Sequence, residues 1–475
     1  MENMDVKVQR SHVIPAPPTQ PSEEVPFTVF DLVAPPYHVT VLFAFTAPNP
    51  TNAALIDALA ATLPRFPLLT ARLENKRQNG RPFFVTGSGG GAGALVVEAE
   101  VDSPLADHLP LAPSPRLARL HAPLGDGEEG GGASPTPPHL LQVQINRFAC
   151  GGLVVASSAH HQAADGYSMS TFFHAWVDAV RSAGAPPPLG RPVPYGPGAI
   201  VPRRPPRCEF EHRGAQFRPA ASNKDAVAGG GNGTANSSST PRPEPVRVAP
   251  SEIANMTLHY TREFVAELKA AAHNKYTTFE TVSAHLWRKI TAARFGHADA
   301  DDSPTSLNVS VNGRARLGPD AVPRGFFGNV VLTARSDSAP GSGPTTAGDL
   351  VHGTLADAAA KVRAGVRAVD RRYFQSFIDF GALHGSDDEQ LEPTVEDEDY
   401  VLLPDVASDS WLHLELHKLD FGCGGRLVGV MPATVPLDGV IVLMPSLQKE
   451  GGVDVFVALY DKHAKELRNI AYTMD

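Results

Sequence analysis

Residues 220–250 read AASNKDAVAGGGNGTANSSSTPRPEPVRVAP. Gly, Ser, Pro and Asn dominate the stretch, and no apolar residue recurs at helical or strand spacing. A segment with so little to bury cannot offset the entropy of ordering it, so it is expected to be a linker. It lies near the middle of 475 residues. The fold is thereby confined to two units of similar size, residues 1–219 and 251–475, joined by 220–250. No internal repeat at solenoid-like periods offers another organisation.

Local patterns inside the two units are mixed. Leu55, Ile56, Leu59 and Leu63 recur at helical spacing, and Pro64 closes that helix. Residues 39–45 and 140–145 alternate like strands. After the linker, 256–260 reads as a strand and 262–272 as a helix. Thr277 or Thr278 then N-caps a longer helix from 279 to about 293. Strands and helices without strict β-α alternation predict an α+β fold of two sandwich-like domains. Two glycine-rich runs, GSGGGAGA (87–94) and GDGEEGGGASPTPP (125–138), read as loops. The first contains G-x-G-x-x-A, a relative of the dinucleotide fingerprint, but no dinucleotide-binding strand and helix flank it.

A net charge of −10 provides no positive field for nucleic acid or an anionic membrane. No apolar run approaches the roughly 18 residues of a membrane helix. The N-terminal MENMDVKVQRSHVIPAPP lacks a signal-peptide core, and the C-terminal YTMD is neither a prenylation nor a peroxisomal signal. Cys150, Cys208 and Cys423 form no CxxC pair and no even-numbered framework. Neither disulfides nor structural zinc is expected. These features describe a cytoplasmic protein without nucleic-acid or membrane partners.

The chemistry concentrates in SSAHHQAADGY (157–167), which follows the apolar run 152–156. A strand delivers two histidines to a turn, and Asp165 follows His161 at H-x-x-x-D spacing. Gly166 suits positive φ, which predicts a sharp corner at Asp165 with helical periodicity resuming at Ser168. An imidazole is the usual general base near neutral pH. Asp165 either orients that ring or braces the turn by pairing with a distant arginine. The competing reading is a pair of hydrogen-bonded histidines at a strand end. A metal pair lacks further ligands at suitable spacing. Cys150, at the opposite end of the strand, reads as a buried structural cysteine rather than a nucleophile. No G-x-S-x-G elbow exists.

A second signal is DFGCGGR (420–426). With CGGLVVASSAHHQAADG (150–166), it resembles the BAHD family of plant acyl-CoA-dependent acyltransferases, marked by H-x-x-x-D-G near the middle and D-F-G-W-G near the C-terminus. LPRFPLLTARL (63–73), TFETVSAHLWRKITAAR (278–294), VNGRARLGP (311–319), FFGNVV (326–331) and SDSW (408–411) agree in order, so the resemblance spans nearly the whole chain. CEFEHRG (208–214) and YFQSFIDF (373–380) resemble the grass branch that acylates amines, where agmatine coumaroyltransferases stand beside relatives using putrescine or tryptamine. Three departures are visible: Cys423 replaces the tryptophan, Gly425 is inserted before Arg426, and Asn312 replaces the aspartate of D-x-R-x-R.

The resemblance implies two similar-sized, chloramphenicol-acetyltransferase-like sandwich domains with a tunnel between them. CoA enters from one face and the acceptor from the other. It implies His161 as general base, with His160 structural. Asp165 points away from the pocket and pairs with Arg314, and Trp411 places its indole N–H near the developing oxyanion. Asp420, Gly422 and Gly424 build a structural loop. Two residues before Trp411, where relatives acting on alcohols often carry a hydroxyl, stands Asp409. At about 4 Å and an effective dielectric near 20, a carboxylate there attracts a cation by roughly 4 kcal/mol before desolvation. Asp379 is a candidate for a second cation such as a guanidinium, with helix capping or structural pairing as the competing roles. Thr277 and Thr278 are candidates for CoA phosphate at a helix N-terminus, against plain capping. The expected reaction moves a hydroxycinnamoyl or benzoyl group from its CoA thioester to an amine such as agmatine, putrescine or tryptamine. Acyl-CoA is a co-substrate and no cofactor is implied. O-acylation and noncatalytic acyl-CoA binding are the alternatives, and the family precedent is a monomer.

Overall fold

The computed structural model describes residues 4–474 except 19, 76–80, 115, 124–138, 183–191, 220–247, 297–301, 338–342, 385–390, 394–403 and 449–450. The second glycine-rich run and most of the expected linker lie outside the described residues. The first glycine-rich run forms the turn between the strands Pro82–Thr86 and Ala94–Val101.

Two six-stranded sheets carry the molecule. Their strands, in chain order, are β1 (Val6–Ile14), β2 (His38–Phe45), β3 (Ala94–Val101), β4 (Leu141–Phe148), β5 (Leu153–His160), β6 (Ile253–Tyr260), β7 (Leu307–Asn312), β8 (Val331–Arg335), β9 (Val406–Ser410), β10 (Leu427–Pro432), β11 (Val440–Pro445) and β12 (Val453–Tyr460). The first sheet runs β1-β3-β4-β5-β2-β10 and the second β6-β12-β11-β9-β7-β8. Both are mixed, with β3–β4 parallel in the first and β7–β9 and β9–β11 parallel in the second. One strand crosses over: β10, from the second half of the chain, lies antiparallel on β2 with Met431 opposite Leu42.

Period-2 alternation sorts each strand between two cores. On β2, Phe43 and Phe45 face the helix Gly166–Arg181, with Phe43 and Phe173 ring centroids 5.0 Å apart. Leu42 and Ala44 point the other way, into a core shared with Val442, Met444, Phe456 and Ala458 of the second sheet. On β11, Ile441 and Leu443 turn instead toward a third core around the helix Thr278–Phe295. That helix buries thirteen consecutive residues, Glu280 to Ala292, and so has no solvent stripe along most of its length. Each fully buried Phe or Leu contributes about 1.5–3 kcal/mol relative to exposure. The apolar layer between the sheets therefore holds the two halves firmly against each other.

Candidate active site

β5 delivers His160 and His161 to a single 3-10 turn, His161–Ala163, after which the helix Gly166–Arg181 begins. Its start differs from the sequence reading. Asp165 is the N-cap in extended geometry (φ −80°, ψ 173°), and Gly166 is already helical. Gly166 does not adopt the positive φ expected of it, and a Cβ there would meet only Leu414 Cδ1, at 3.2 Å.

Both Asp165 carboxylate oxygens are occupied. Oδ1 accepts the Ser168 N–H at 2.9 Å, while Oδ2 accepts Arg314 Nη1 at 2.6 Å and the Val330 N–H at 3.0 Å. Of the two roles open to Asp165, the geometry is therefore that of a brace. Arg314 also donates through Nη2 to Ser168 Oγ and the Gly328 carbonyl, each at 2.9 Å, and its guanidinium lies 4.9 Å from the Tyr167 ring centre. Asn312 accepts the Arg314 backbone N–H at 3.0 Å.

His160 is fully buried, edge-on to His38 at 5.1 Å. Burial, with the neighbouring His38 and His161, pushes its pKa down to about 3, so it stays neutral. His161 instead lines a cavity. Its Nδ1 is buried without a hydrogen-bond partner among the described residues.

The cavity has a volume of 2440 Å³ and is lined from both halves of the chain. A pocket for one drug-sized ligand spans roughly 300–1,000 Å³, so two substrates have room. Asp409, on β9, lines it together with Trp411, just past the end of that strand. Burial pushes the Asp409 carboxyl above the usual carboxylate range, opposed by a hydrogen bond with Ser310 and by the field of His161. Asp409 keeps some accessible surface although protein surrounds it closely, because that surface faces the cavity and not bulk water. Ser310 shares its face of β7 with Asn308 and Asn312, and all three line the cavity. Sequence reading missed this polar strip, although its N-x-S-x-N alternation on a strand was the available signal.

Asp379 and the Thr277/Thr278 pair are not brought to the cavity. The Asp379 carboxylate is buried within the helix Arg371–His384 and accepts the Arg203 N–H at 2.8 Å, the Arg207 N–H at 2.9 Å and the Arg203 side chain. Burial acts to raise its pKa, but these bonds outweigh that and hold it below the ordinary value. No oxygen is left over for a substrate guanidinium. Thr277 closes a capping box with Glu280, whose carboxylate also pairs with Arg363 at 2.6 Å. A phosphate at that helix start would meet a carboxylate, so plain capping is the role the structure gives Thr277. Cys150 is exposed rather than buried; its Sγ accepts the Leu105 N–H at 3.3 Å.

The segments 208–214 and 373–380, separate in sequence, dock on each other. Ser376 Oγ accepts the Glu209 and Phe210 N–H groups at 2.9 and 3.1 Å, and Phe210 and Tyr373, with ring centroids 5.1 Å apart, both line the cavity. In the 420–426 loop, Asp420 accepts the Gly422 N–H at 2.8 Å and lies 3.5 Å from Arg181. Gly422 and Gly424 adopt φ of +74° and +93°, where other residues are strained. Phe421 packs on Phe45 at 4.8 Å. The loop thus anchors the chain just before β10 enters the first sheet.

Two mixed sheets sharing a core, with a histidine and a carboxylate facing a cavity lined from both halves, make a two-domain α+β fold. Solved structures similar to it include vinorine synthase (TM-score 0.64, 18% identity, covering 97% of this chain and 96% of that one) and F. sporotrichioides TRI101 complexed with coenzyme A and T-2 (TM-score 0.65, 15% identity, 94% and 97%). The model of the Transferase family matches residues 4–474. The chain belongs to this family, the BAHD acyltransferases. Similar curated proteins include agmatine coumaroyltransferase-1 of Hordeum vulgare, 34% identical over 96% of this chain and 94% of that one. Putrescine hydroxycinnamoyltransferase of Oryza sativa subsp. japonica is 35% identical over 99% and 100%, and tryptamine hydroxycinnamoyltransferase 2 of the same plant 36% over 94% and 93%.

Proposed function

We propose that the protein transfers a hydroxycinnamoyl or benzoyl group from its CoA thioester to the amino group of an amine such as agmatine, putrescine or tryptamine. The observation that carries this reading is that Asp409 and His161 face one cavity lined by both halves, close enough for the His161 field to act on the Asp409 carboxyl. Acceptor amines titrate near 10, so only about one molecule in a thousand is neutral at pH 7. The ammonium form is drawn to Asp409, and a carboxyl with a raised pKa is a better proton acceptor than an ordinary one. Asp409 takes the first proton. The neutral nitrogen attacks the thioester carbonyl while His161 takes the second; the tetrahedral intermediate then collapses, breaking the C–S bond, and the protonated His161 gives its proton to the departing sulfur, so that CoA leaves as its thiol. Trp411, which lines the same cavity as Asp409, is the candidate donor to the oxyanion, a role typically worth about 3–4 kcal/mol.

We further read the protein as a monomeric cytoplasmic enzyme that needs no cofactor beyond acyl-CoA. Light scattering on the purified protein checks the first point, with a mass near 50.4 kDa expected.

Changing Asp409→Ser tests the acceptor assignment. The expected outcome is an amine KM raised by about tenfold or more, in line with a charge interaction of 1.4 kcal/mol or greater, while CoA affinity stays within a factor of two. Equal losses for amine and CoA contradict the assignment.

A further inference from the structure

The peptide between His161 and Ala163 is held from across the molecule. The Gln162 carbonyl accepts Asn329 Nδ2 at 2.9 Å, and the same amide nitrogen donates to Asp31 Oδ1, also at 2.9 Å. A backbone carbonyl and a carboxylate are both acceptors, so together they fix which end of the Asn329 amide is nitrogen. Asp31 is itself set by a capping box, with the Thr28 N–H to Oδ2 at 2.8 Å and the Asp31 N–H to Thr28 Oγ1 at 3.1 Å. Asp31 is 3% exposed and Asn329 2%. The short helix that carries Asp31, Val29–Leu32, is anchored by Phe30, whose ring lies 5.2 Å from that of Phe377. Just downstream, the Tyr37 carbonyl accepts the His161 N–H at 2.9 Å.

One line of hydrogen bonds thus leaves the first half at Asp31, passes through a side chain of the second half, and returns to the first half at the residue next to His161. We infer that Asp31 and Asn329 are positioning residues for His161, fixing the turn that aims its ring, separately from the Asp165–Arg314 brace one step further along. This inference rests on the reading of His161 as the base. A displacement of about 1 Å at such a turn can cost on the order of 100-fold in rate.

Three variants test it: Asn329→Ala, Asn329→Asp, and the swap Asp31→Asn with Asn329→Asp. For Asn329→Ala the expected result is a kcat lowered tenfold or more with both KM values within threefold. Deuterium uptake across residues 160–166 should accelerate at least tenfold, with the rest of the chain unchanged. The swap restores an amide–carboxylate bond between positions 31 and 329 but sets a carboxylate against the Gln162 carbonyl. It should therefore recover the thermal stability lost in Asn329→Asp while kcat stays at least tenfold down. Recovery of kcat together with stability would overturn the inference, as would Asn329→Ala turning over within twofold of the parent. Should Asn329→Ala fail to fold, the swap carries the test. A parent protein silent with every amine would count against the proposed function; uptake across 160–166 still reads how Asn329 holds the turn, and unchanged uptake in Asn329→Ala refutes the inference.

Discussion

His161 and Asp165 lie four residues apart, yet their surroundings give them separate tasks. Asp165 spends its oxygens on Ser168, Val330 and Arg314, while His161 keeps a face to the cavity. Replacing His161→Ala should lower kcat by about 10²–10⁴, the usual worth of a general base, with unfolding midpoint unchanged within a degree or two. Near-parental turnover contradicts the role. Asp31 carries a different prediction. Burial raises its pKa to about 6, against the hydrogen bonds from Asn329 and Thr28 that act to lower it. An acid with a raised folded-state pKa binds its proton more tightly folded than unfolded. The full cost of the buried charge is thus present above about pH 6 and disappears as pH falls toward about 4. Relative to Asp31→Asn, the parent should gain on the order of 2–3 kcal/mol between pH 7 and pH 4 in urea unfolding. A constant difference across that range contradicts the assignment.

The elements were legible to different degrees. His161 and Asp165 stood out because their chemistry and their turn fit in one short segment. Asp31 and Asn329 did not, since nothing in VFDL or FGN alone reveals a bond spanning 298 residues. Asp379 misled for the same reason: its partners at Arg203 and Arg207 are invisible to local pattern. Strands and helices followed the apolar periods closely, with 262–272 realised as Arg262–Ala271 and 279–293 as Thr278–Phe295. The crossover of β10 was not legible, because strand order depends on pairing between distant segments. Its entry point is tightly built: a Cβ on Gly425 would stand 2.2 Å from the Thr46 carbonyl oxygen and 2.5 Å from that of Pro48. Gly425→Ala should therefore lose about 1–3 kcal/mol, as overpacking does. Gly198→Ala, where a Cβ meets nothing within 4 Å, is the control and should change little in the same denaturant titration.

At the scale of the molecule, the two sheets, their shared core and the cavity form one device. The first half supplies His161, the base of the proposed reaction, at the end of β5. The second supplies Asp409 and Trp411 on and beside β9, and also the side chains Arg314 and Asn329 that hold the base's turn. Composition alone pointed to two units, and the structure has two six-stranded sheets, while most of the expected linker lies outside the described residues. That each half completes the other's working parts was not legible, because it follows from packing across the interface. Acceptor choice should follow from the carboxylate this arrangement places beside the base. The most direct measurement is thiol release from p-coumaroyl-CoA and benzoyl-CoA with agmatine, putrescine, tryptamine, tyramine and shikimate offered separately. Release with one or more amines and none with shikimate is the predicted result; release with shikimate alone would contradict the account.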